Sequence, residues 1–148
     1  MDTLQVKEIK NLLEEKNIKP SLHRIRIFKY LAEHVYTHPT VEIIYQDIHG
    51  DIPTLSKTTI YNTVKAFTDA RLVRSITIDE NEVRYDVKTS PHAHLKCLRC
   101  NRLYNVDVDP ELFNKFFEDN NKDEHKILEN HIYLRGICNK CLGKKSKI

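Results

Sequence analysis

The 148-residue sequence has no tryptophan, only three glycines and no long apolar run. The scarcity of glycine and the 30% share of charged residues exclude a collagen-like or low-complexity chain. No stretch approaches the roughly 20 apolar residues of a membrane span. The first residues also lack the basic and apolar regions of a signal peptide. We therefore expect a cytoplasmic protein that has no membrane partner.

The formal net charge of +3 is small for a chain of this length. Basic and acidic residues nearly balance in the first 83 positions, so overall charge does not predict a nucleic-acid partner. DNA binding would depend on local clusters of lysine and arginine. The length allows one ordinary domain or two small ones, and small domains commonly need a metal for stability.

The four cysteines form two Cys-x-x-Cys pairs, Cys97 with Cys100 and Cys138 with Cys141. Two intervening residues let both sulfurs of a pair face one ion, and two pairs supply the four thiolates of a closed tetrahedral zinc site. The alternatives are two disulfides or four buried thiols. Disulfides are typical of exported proteins, and no export signal is present. The pattern therefore predicts a structural Zn²⁺ ion.

A second metal signal, His92 and His94, lies just before the first cysteine pair. If this segment is a strand, alternate residues share a face and both imidazoles reach one ion. That ion is distinct from the zinc, because four thiolates already complete the zinc coordination. Two ordinary surface histidines are the alternative. A zinc hydrolase or deaminase is disfavoured, because it needs an open coordination position and a glutamate base that His-Ala-His lacks, so we expect no enzyme.

The first 87 residues predict four helices and a hairpin. Apolar residues at helical spacing indicate the first helix, and Ser21, Thr40 and Ser56 are typical N-cap residues for the next three. Residues 73–78 and 83–87 alternate like two strands around a turn. This order is the outline of a winged helix-turn-helix domain. We expect the second helix to bury Leu22, Ile25, Phe28 and Leu31.

The fourth helix has one apolar face and one polar face. The polar face carries Thr58, Tyr61, Asn62 and Lys65. Asparagine can pair with an adenine edge, lysine and tyrosine can reach phosphates or bases, and threonine can meet a thymine methyl. An ordinary solvated helix face is the alternative. We predict that this face reads DNA and that Lys19 and Arg24 contact the DNA backbone.

Residues 88–91 are predicted to be a hinge between a domain of residues 1–87 and a second domain of residues 92–148. In the second domain short strands flank the first cysteine pair, and Asp109 and Pro110 begin a helix. Residues 127–134 are predicted to form a strand that leads to the second cysteine pair. The expected fold class is α+β: a winged helix-turn-helix domain followed by a small α/β dimerisation domain with a four-cysteine zinc site. A purely structural zinc module is the alternative.

Together these residues resemble the ferric uptake regulator (Fur) family of metal-dependent repressors. The resemblance covers nearly the whole chain, and it also includes the His-x-His and cysteine pair of residues 92–100. The other matching stretches are residues 18–24 (IKPSLHR), 38–45 (HPTVEIIY), 56–67 (SKTTIYNTVKAF) and 84–86 (RYD). The resemblance implies a homodimer that binds palindromic, double-stranded operator DNA through its winged-helix domains.

The resemblance also implies a regulatory metal site. Carried over by position, its ligands are His38, Asp86, His92 and His94. Such a donor set suits Fe²⁺, Mn²⁺ or Zn²⁺. Iron-uptake members of the family typically have glutamate where this chain has Asp86, and peroxide sensors of the PerR type typically have aspartate. The resemblance therefore implies a peroxide-responsive repressor, in which bound Fe²⁺ reacts with peroxide and His38 or His92 is oxidised. The alternative is an iron-, manganese- or zinc-responsive repressor without this chemistry.

The chain departs from the family pattern at one further ligand position. Five residues after the second cysteine of the first pair the family usually has a carboxylate, and this chain has Asn105. Asp107 follows two residues later on the same strand face and is the candidate replacement. An amide oxygen is a neutral and poorer ligand than a carboxylate. Metal affinity and peroxide reactivity therefore depend on which of these two residues binds the ion.

Overall fold

The structure is a computed structural model that describes residues 5–87, 90–120 and 125–143. The chain divides into two compact units, residues 1–88 and 89–148. Of the predicted hinge, positions 88 and 89 lie outside the described residues. Within the described ranges, none of the helices has the length and apolar character needed to cross a membrane.

The first unit contains four helices followed by a two-stranded antiparallel sheet. The elements are α1 (Val6–Glu15), α2 (Leu22–Glu33), α3 (Val41–Ile48), α4 (Lys57–Asp69), β1 (Arg74–Asp79) and β2 (Glu82–Asp86). Helices followed by a hairpin are the arrangement of a winged helix-turn-helix. The predicted α+β class and the predicted order of elements are confirmed.

Side-chain caps determine where three of these helices begin. Ser21, Thr40 and Ser56 each accept a hydrogen bond from the backbone N–H three residues later, at 3.2, 3.2 and 3.1 Å. Each cap satisfies a donor that the first helical turn leaves unpaired, and such a cap is typically worth about 1 kcal/mol. The three predicted helix starts are confirmed.

The core of the first unit is largely aliphatic and includes the pair of Phe28 and Phe67. The rings of Phe28 in α2 and Phe67 in α4 meet edge to face, with 5.7 Å between centroids. The prediction that Leu22 is buried is wrong, because its side chain is 72% exposed. Leu22 precedes Phe28 by six residues, which places it about 120° around the helix from the buried face. The buried residues of α2 are Ile27, Phe28, Tyr30 and Leu31.

The second unit is built on a three-stranded sheet in the order β4–β3–β5. Its elements are β3 (His92–Cys97), β4 (Leu103–Asp107), α5 (Pro110–Asn120), β5 (Tyr133–Gly136) and α6 (Asn139–Leu142). The central strand β3 is antiparallel to β4 and parallel to β5. The carboxylate of Asp109 accepts a hydrogen bond from the Glu111 N–H at 2.9 Å, so the predicted start of α5 is confirmed.

The predicted strand over residues 127–134 is wrong in its first part. The strand begins at Tyr133, and residues 127–132 are irregular. In the parallel register the first pair joins His94 to Tyr133. The carbonyl of Ile132 accepts a hydrogen bond from the His94 N–H at 3.0 Å, so the contact with β3 begins one residue before the strand. The apolar composition of residues 127–132 therefore predicted a longer strand than the one that forms.

Candidate metal centres and nucleic-acid interface

Four thiols converge in the second unit. Their sulfurs all lie within 4.8 Å of one another, and the Sγ atoms of Cys100 and Cys138 are 3.8 Å apart. A tetrahedral zinc ion with Zn–S bonds of about 2.3 Å places its sulfurs about 3.8 Å apart. The cysteines are free thiols, which excludes the disulfide alternative in this structure. The four residues are Cys97, Cys100, Cys138 and Cys141, and they have the donor set and spacing of a structural zinc site.

Backbone contacts bring the two cysteine turns together. In the pairing of β3 with β5, Cys97 lies opposite Gly136. The N–H of Leu98 donates to the carbonyl of Gly136 at 2.8 Å. The guanidinium of Arg99 donates to the carbonyl of Cys141 at 2.9 Å. The first turn is therefore fixed to the second through main-chain groups as well as through the thiols.

The thiols differ in the ease with which they lose a proton. The backbone N–H groups of Cys100 and Cys138 lower the pKa of Cys97 to about 6. The hydroxyl of Tyr104 lowers the pKa of Cys138. The adjacent Cys138 side chain and burial raise the pKa of Cys141 to about 12. Without a metal at neutral pH, Cys97 is a thiolate and Cys141 keeps its proton.

We predict that zinc loading at neutral pH releases at least one proton, that of Cys141. A thiol with a raised pKa must lose its proton to bind zinc. Each rise of one pH unit lowers the free-energy cost of that deprotonation. The apparent zinc affinity should therefore rise about tenfold per pH unit for each proton released. Competition against a chromophoric chelator, corrected for the chelator's own protonation, measures this slope. An affinity independent of pH would contradict the prediction.

His92 and His94 lie on one face of β3, and both are buried. Their Nε2 atoms are 3.1 Å apart. Nδ1 of His92 lies 2.7 Å from the carbonyl oxygen of Ser90, and only an N–H can donate to a carbonyl. Nδ1 therefore carries a proton, and the tautomer with its only proton there presents the Nε2 lone pair that a metal needs. Two nitrogens bound to one ion at about 2.1 Å lie about 3.0–3.4 Å apart, so this pair fits a single metal.

The neighbouring strand carries the two alternative oxygen ligands. In the antiparallel register Asn105 of β4 lies opposite His94, and Asp107 lies opposite His92. Residues directly opposite one another point to the same face, with Cβ atoms about 4.5–5.5 Å apart. Asn105 is half-buried and Asp107 is exposed. Both residues therefore lie on the histidine face of the sheet.

In the first unit His38 lies beside Asp86. Nε2 of His38 and Oδ2 of Asp86 are 3.9 Å apart, and both side chains are fully buried. This distance is too long for a hydrogen bond, and it is longer than the separation of about 3.0–3.4 Å between adjacent ligands of one ion. The two atoms would therefore move closer together on binding a metal. A buried carboxylate is costly unless its charge is compensated, and a divalent cation supplies that compensation. The pair therefore fits a metal.

The polar face of α4 is exposed. Tyr61 is 55% accessible, and Thr58, Asn62 and Lys65 are exposed with it. The ammonium of Lys65 pairs with the carboxylate of Asp69 at 3.0 Å. Lys65 must therefore leave Asp69 to reach a phosphate. The spacing of four residues between them could have predicted this pair from the sequence.

The two other predicted DNA contacts are linked to each other at the start of α2. The guanidinium of Arg24 donates to the backbone carbonyl of Lys19 at 2.7 Å. Lys19 is exposed and Arg24 is half-buried.

Sequence reasoning missed Ser90, which orients His92 through its main-chain carbonyl. Because any residue offers that carbonyl, its side chain gives no signal.

The model of the "Ferric uptake regulator family" matches residues 15–135 of this chain. The chain belongs to this family. Family membership makes it a metal-dependent regulator and not an enzyme, as predicted. Over 149 aligned residues it is 27% identical to the peroxide-responsive repressor PerR of Staphylococcus aureus (strain Mu50), covering 96% of this chain and 99% of PerR.

Two solved structures of ferric uptake regulators share the fold. The Fur protein of Helicobacter pylori superposes with a TM-score of 0.73 at 19% identity, covering 99% of each chain. The Fur protein of Pseudomonas aeruginosa, solved with manganese, has a TM-score of 0.73 at 18% identity and covers 88% of this chain and 98% of its own. At these identities the likeness supports the fold alone.

Proposed function

We propose that this protein is a transcriptional repressor that binds palindromic operator DNA as a homodimer and senses peroxide through metal-catalysed oxidation of a histidine. Family membership and the similarity to the S. aureus repressor support the regulatory role. The observation that carries the proposal is the buried pair of His38 with an aspartate at position 86. The exposed polar face of α4 supports DNA binding.

The proposed regulatory ion takes His38 and Asp86 from the first unit and His92 and His94 from the second. The 3.1 Å separation of His92 and His94 suits ligands of one ion, the His38–Asp86 pair would close on that ion, and Asn105 or Asp107 is the fifth ligand. Imidazole and carboxylate donors suit Fe²⁺ or Mn²⁺, whereas four thiolates suit Zn²⁺. We therefore assign zinc to the cysteine site and iron or manganese to the regulatory site.

An ion bound by residues of both units explains how a metal could control DNA binding. It would restrain the two units and fix the spacing of the two α4 helices in a dimer. A dimer already ordered for a palindrome loses less conformational freedom on binding, so metal raises DNA affinity. Linkage requires the reverse as well: operator DNA tightens metal binding by the same factor.

Peroxide would end repression by removing a ligand. Fe²⁺, when bound, would catalyse cleavage of the peroxide O–O bond without a net loss of electrons from the ion. One peroxide oxygen enters a C–H bond of the imidazole of His38 or His92, which becomes C–OH, and the other oxygen leaves as water. The histidine is oxidised by two electrons and the peroxide is reduced by two. The altered ring is a poorer ligand, so the ion and then the DNA are released.

A second candidate function is a metal-responsive repressor of the same family without oxidation chemistry. Asn105 favours it, because the amide occupies the strand position opposite His94 where the family usually has a carboxylate. A site with one negative charge fewer holds Fe²⁺ less tightly. In this alternative, iron, manganese or zinc binds and dissociates with the cellular supply.

We predict that Tyr61→Ala and Asn62→Ala weaken specific DNA binding more than non-specific binding. Base-edge contacts carry sequence information, and losing one typically costs about 1–3 kcal/mol, or about 5- to 150-fold in affinity. Replacing Lys19 or Arg24 should instead weaken binding to all sequences and reduce the salt dependence, because these residues would contact phosphates. Duplexes selected from a random library with the metal-loaded protein provide the operator for titration.

Tyr36→Ala is the matched control for Tyr61→Ala. Tyr36 is a tyrosine of the same unit that is 75% exposed and lies outside α4. The Tyr36→Ala protein should bind the selected operator with the affinity of the wild type. Equal operator affinities for the Tyr61→Ala and wild-type proteins would remove α4 from the interface, and failure to select any sequence would overturn specific DNA binding.

A further inference from the structure

One face of β2 presents three charged residues, two of which lie next to His38. Glu82, Arg84 and Asp86 alternate along this strand, so their side chains share a face. Nη2 of Arg84 lies 3.0 Å from the carboxylate of Glu82. Nη1 of Arg84 donates to the backbone carbonyl of His38 at 3.3 Å. Arg84 therefore connects the strand that carries Asp86 to the segment that carries His38.

The backbone of His38 needs such a contact. Its φ of 49° lies in the left-handed region, which residues other than glycine rarely adopt. The following residue is Pro39, which pushes the residue before it toward extended conformations. Two hydrogen bonds from β2 oppose these preferences. One is from Arg84, and the other runs from the Tyr85 N–H to the Pro39 carbonyl at 3.1 Å.

We propose that Arg84 is a positioning residue for the regulatory metal, an inference that rests on the proposed role of His38 as a ligand. Arg84 acts through the His38 carbonyl. By holding this carbonyl it keeps the imidazole beside Asp86 before any ion arrives. Glu82 orients the Arg84 guanidinium and offsets its positive charge. The guanidinium can therefore lie close to the proposed metal site without adding net positive charge to it. Without Arg84, the segment would relax toward ordinary backbone angles and His38 would move away from Asp86.

Cobalt binding to the full chain, with zinc already in the cysteine site, tests this role. The probe is Co²⁺, whose visible absorption reports ligand geometry as well as occupancy. Arg84→Met keeps the length of the side chain but removes its donors, and it should lower Co²⁺ affinity about tenfold or more and shift the absorption bands. Arg84→Lys retains a donor and the charge and should recover part of the affinity. Glu82→Gln should give a smaller loss, because the guanidinium stays but is less well oriented.

Two further variants separate the outcomes. Arg26→Met removes another arginine of the same unit, one that pairs with Asp51 at 3.3 Å, and it should bind Co²⁺ like the wild type. His38→Ala tests the proposed ligand itself. Unchanged Co²⁺ affinity in His38→Ala would overturn the metal assignment on which the inference rests. A large loss in His38→Ala with wild-type affinity and spectrum in folded Arg84→Met would overturn the role of Arg84 alone. If Arg84→Met does not fold, wild-type affinity and spectrum in Glu82→Gln and Arg84→Lys overturn it.

Discussion

Replacement of Cys97 by serine is expected to abolish zinc binding and to unfold the second unit. A serine hydroxyl is a poor zinc ligand at neutral pH, so the remaining three thiols cannot close the tetrahedral shell. Binding energy at a structural zinc site is also folding energy, and its apparent value in small zinc-finger peptides is about 10–16 kcal/mol. That exceeds or equals the whole stability of a typical small domain, about 5–15 kcal/mol. Cys138→Ser should have the same effect, and the proposed dimer should be lost with the fold.

Elemental analysis, circular dichroism and sedimentation measure the three expected changes. Leu98→Ser is the matched control, because it places the same residue in the same turn without removing a ligand. The side chain of Leu98 is 59% exposed, so its replacement leaves the core intact. This control should keep zinc, fold and assembly. A Cys97→Ser protein that stays folded and dimeric without zinc would show that the thiols have another role.

The iron-loaded protein is expected to gain one oxygen atom when it is treated with hydrogen peroxide. Peptide mapping should place that oxygen on His38 or His92, because the oxidant forms at the ion and these rings would bind it. Operator affinity should fall to the level of the metal-free protein, since the altered ring no longer holds the ion. Intact-mass analysis and DNA titration on the same sample measure both effects.

The manganese- and zinc-loaded forms are the controls for this experiment. Neither should gain mass, because Mn²⁺ and Zn²⁺ do not reduce peroxide in the way that Fe²⁺ does. An iron form that keeps its mass and its operator affinity in peroxide would contradict peroxide sensing, and the plain metal sensor would take its place. In that event Asn105→Asp tests the reason. Restored oxidation in this variant would assign the loss of peroxide chemistry to the missing carboxylate opposite His94.

Local features of this chain were predictable because they depend on residues close in sequence. Ser21, Thr40 and Ser56 cap helices through bonds to N–H groups only three residues away. Each Cys-x-x-Cys pair forms within a single turn, and alternation along β3 was enough to predict that His92 and His94 face the same way. The family resemblance then supplied the two proposed ligands from the first unit, which no spacing rule would have joined to them.

Features that depend on distant residues were not predictable. Residues 127–132 have the composition of a strand, but the register with β3 begins only at Tyr133. The exposure of Leu22 depends on which side of α2 meets α4. The bond from Arg84 to the His38 carbonyl joins positions 46 residues apart. Its acceptor is a main-chain atom, so the sequence gives no indication of it.

The parallel pairing of β5 with β3 has a consequence for the newly made chain. Every described element of the first unit is complete by Asp86, so that unit can fold while the second is still being synthesised. The second unit must wait, because Cys138 follows Cys97 by 41 positions. Until Cys138 and Cys141 emerge, Cys97 and Cys100 are thiols without their zinc partners. An oxidant or a competing thiophilic metal can react with them in that interval, so the nascent chain is more vulnerable at the cysteines than the finished protein.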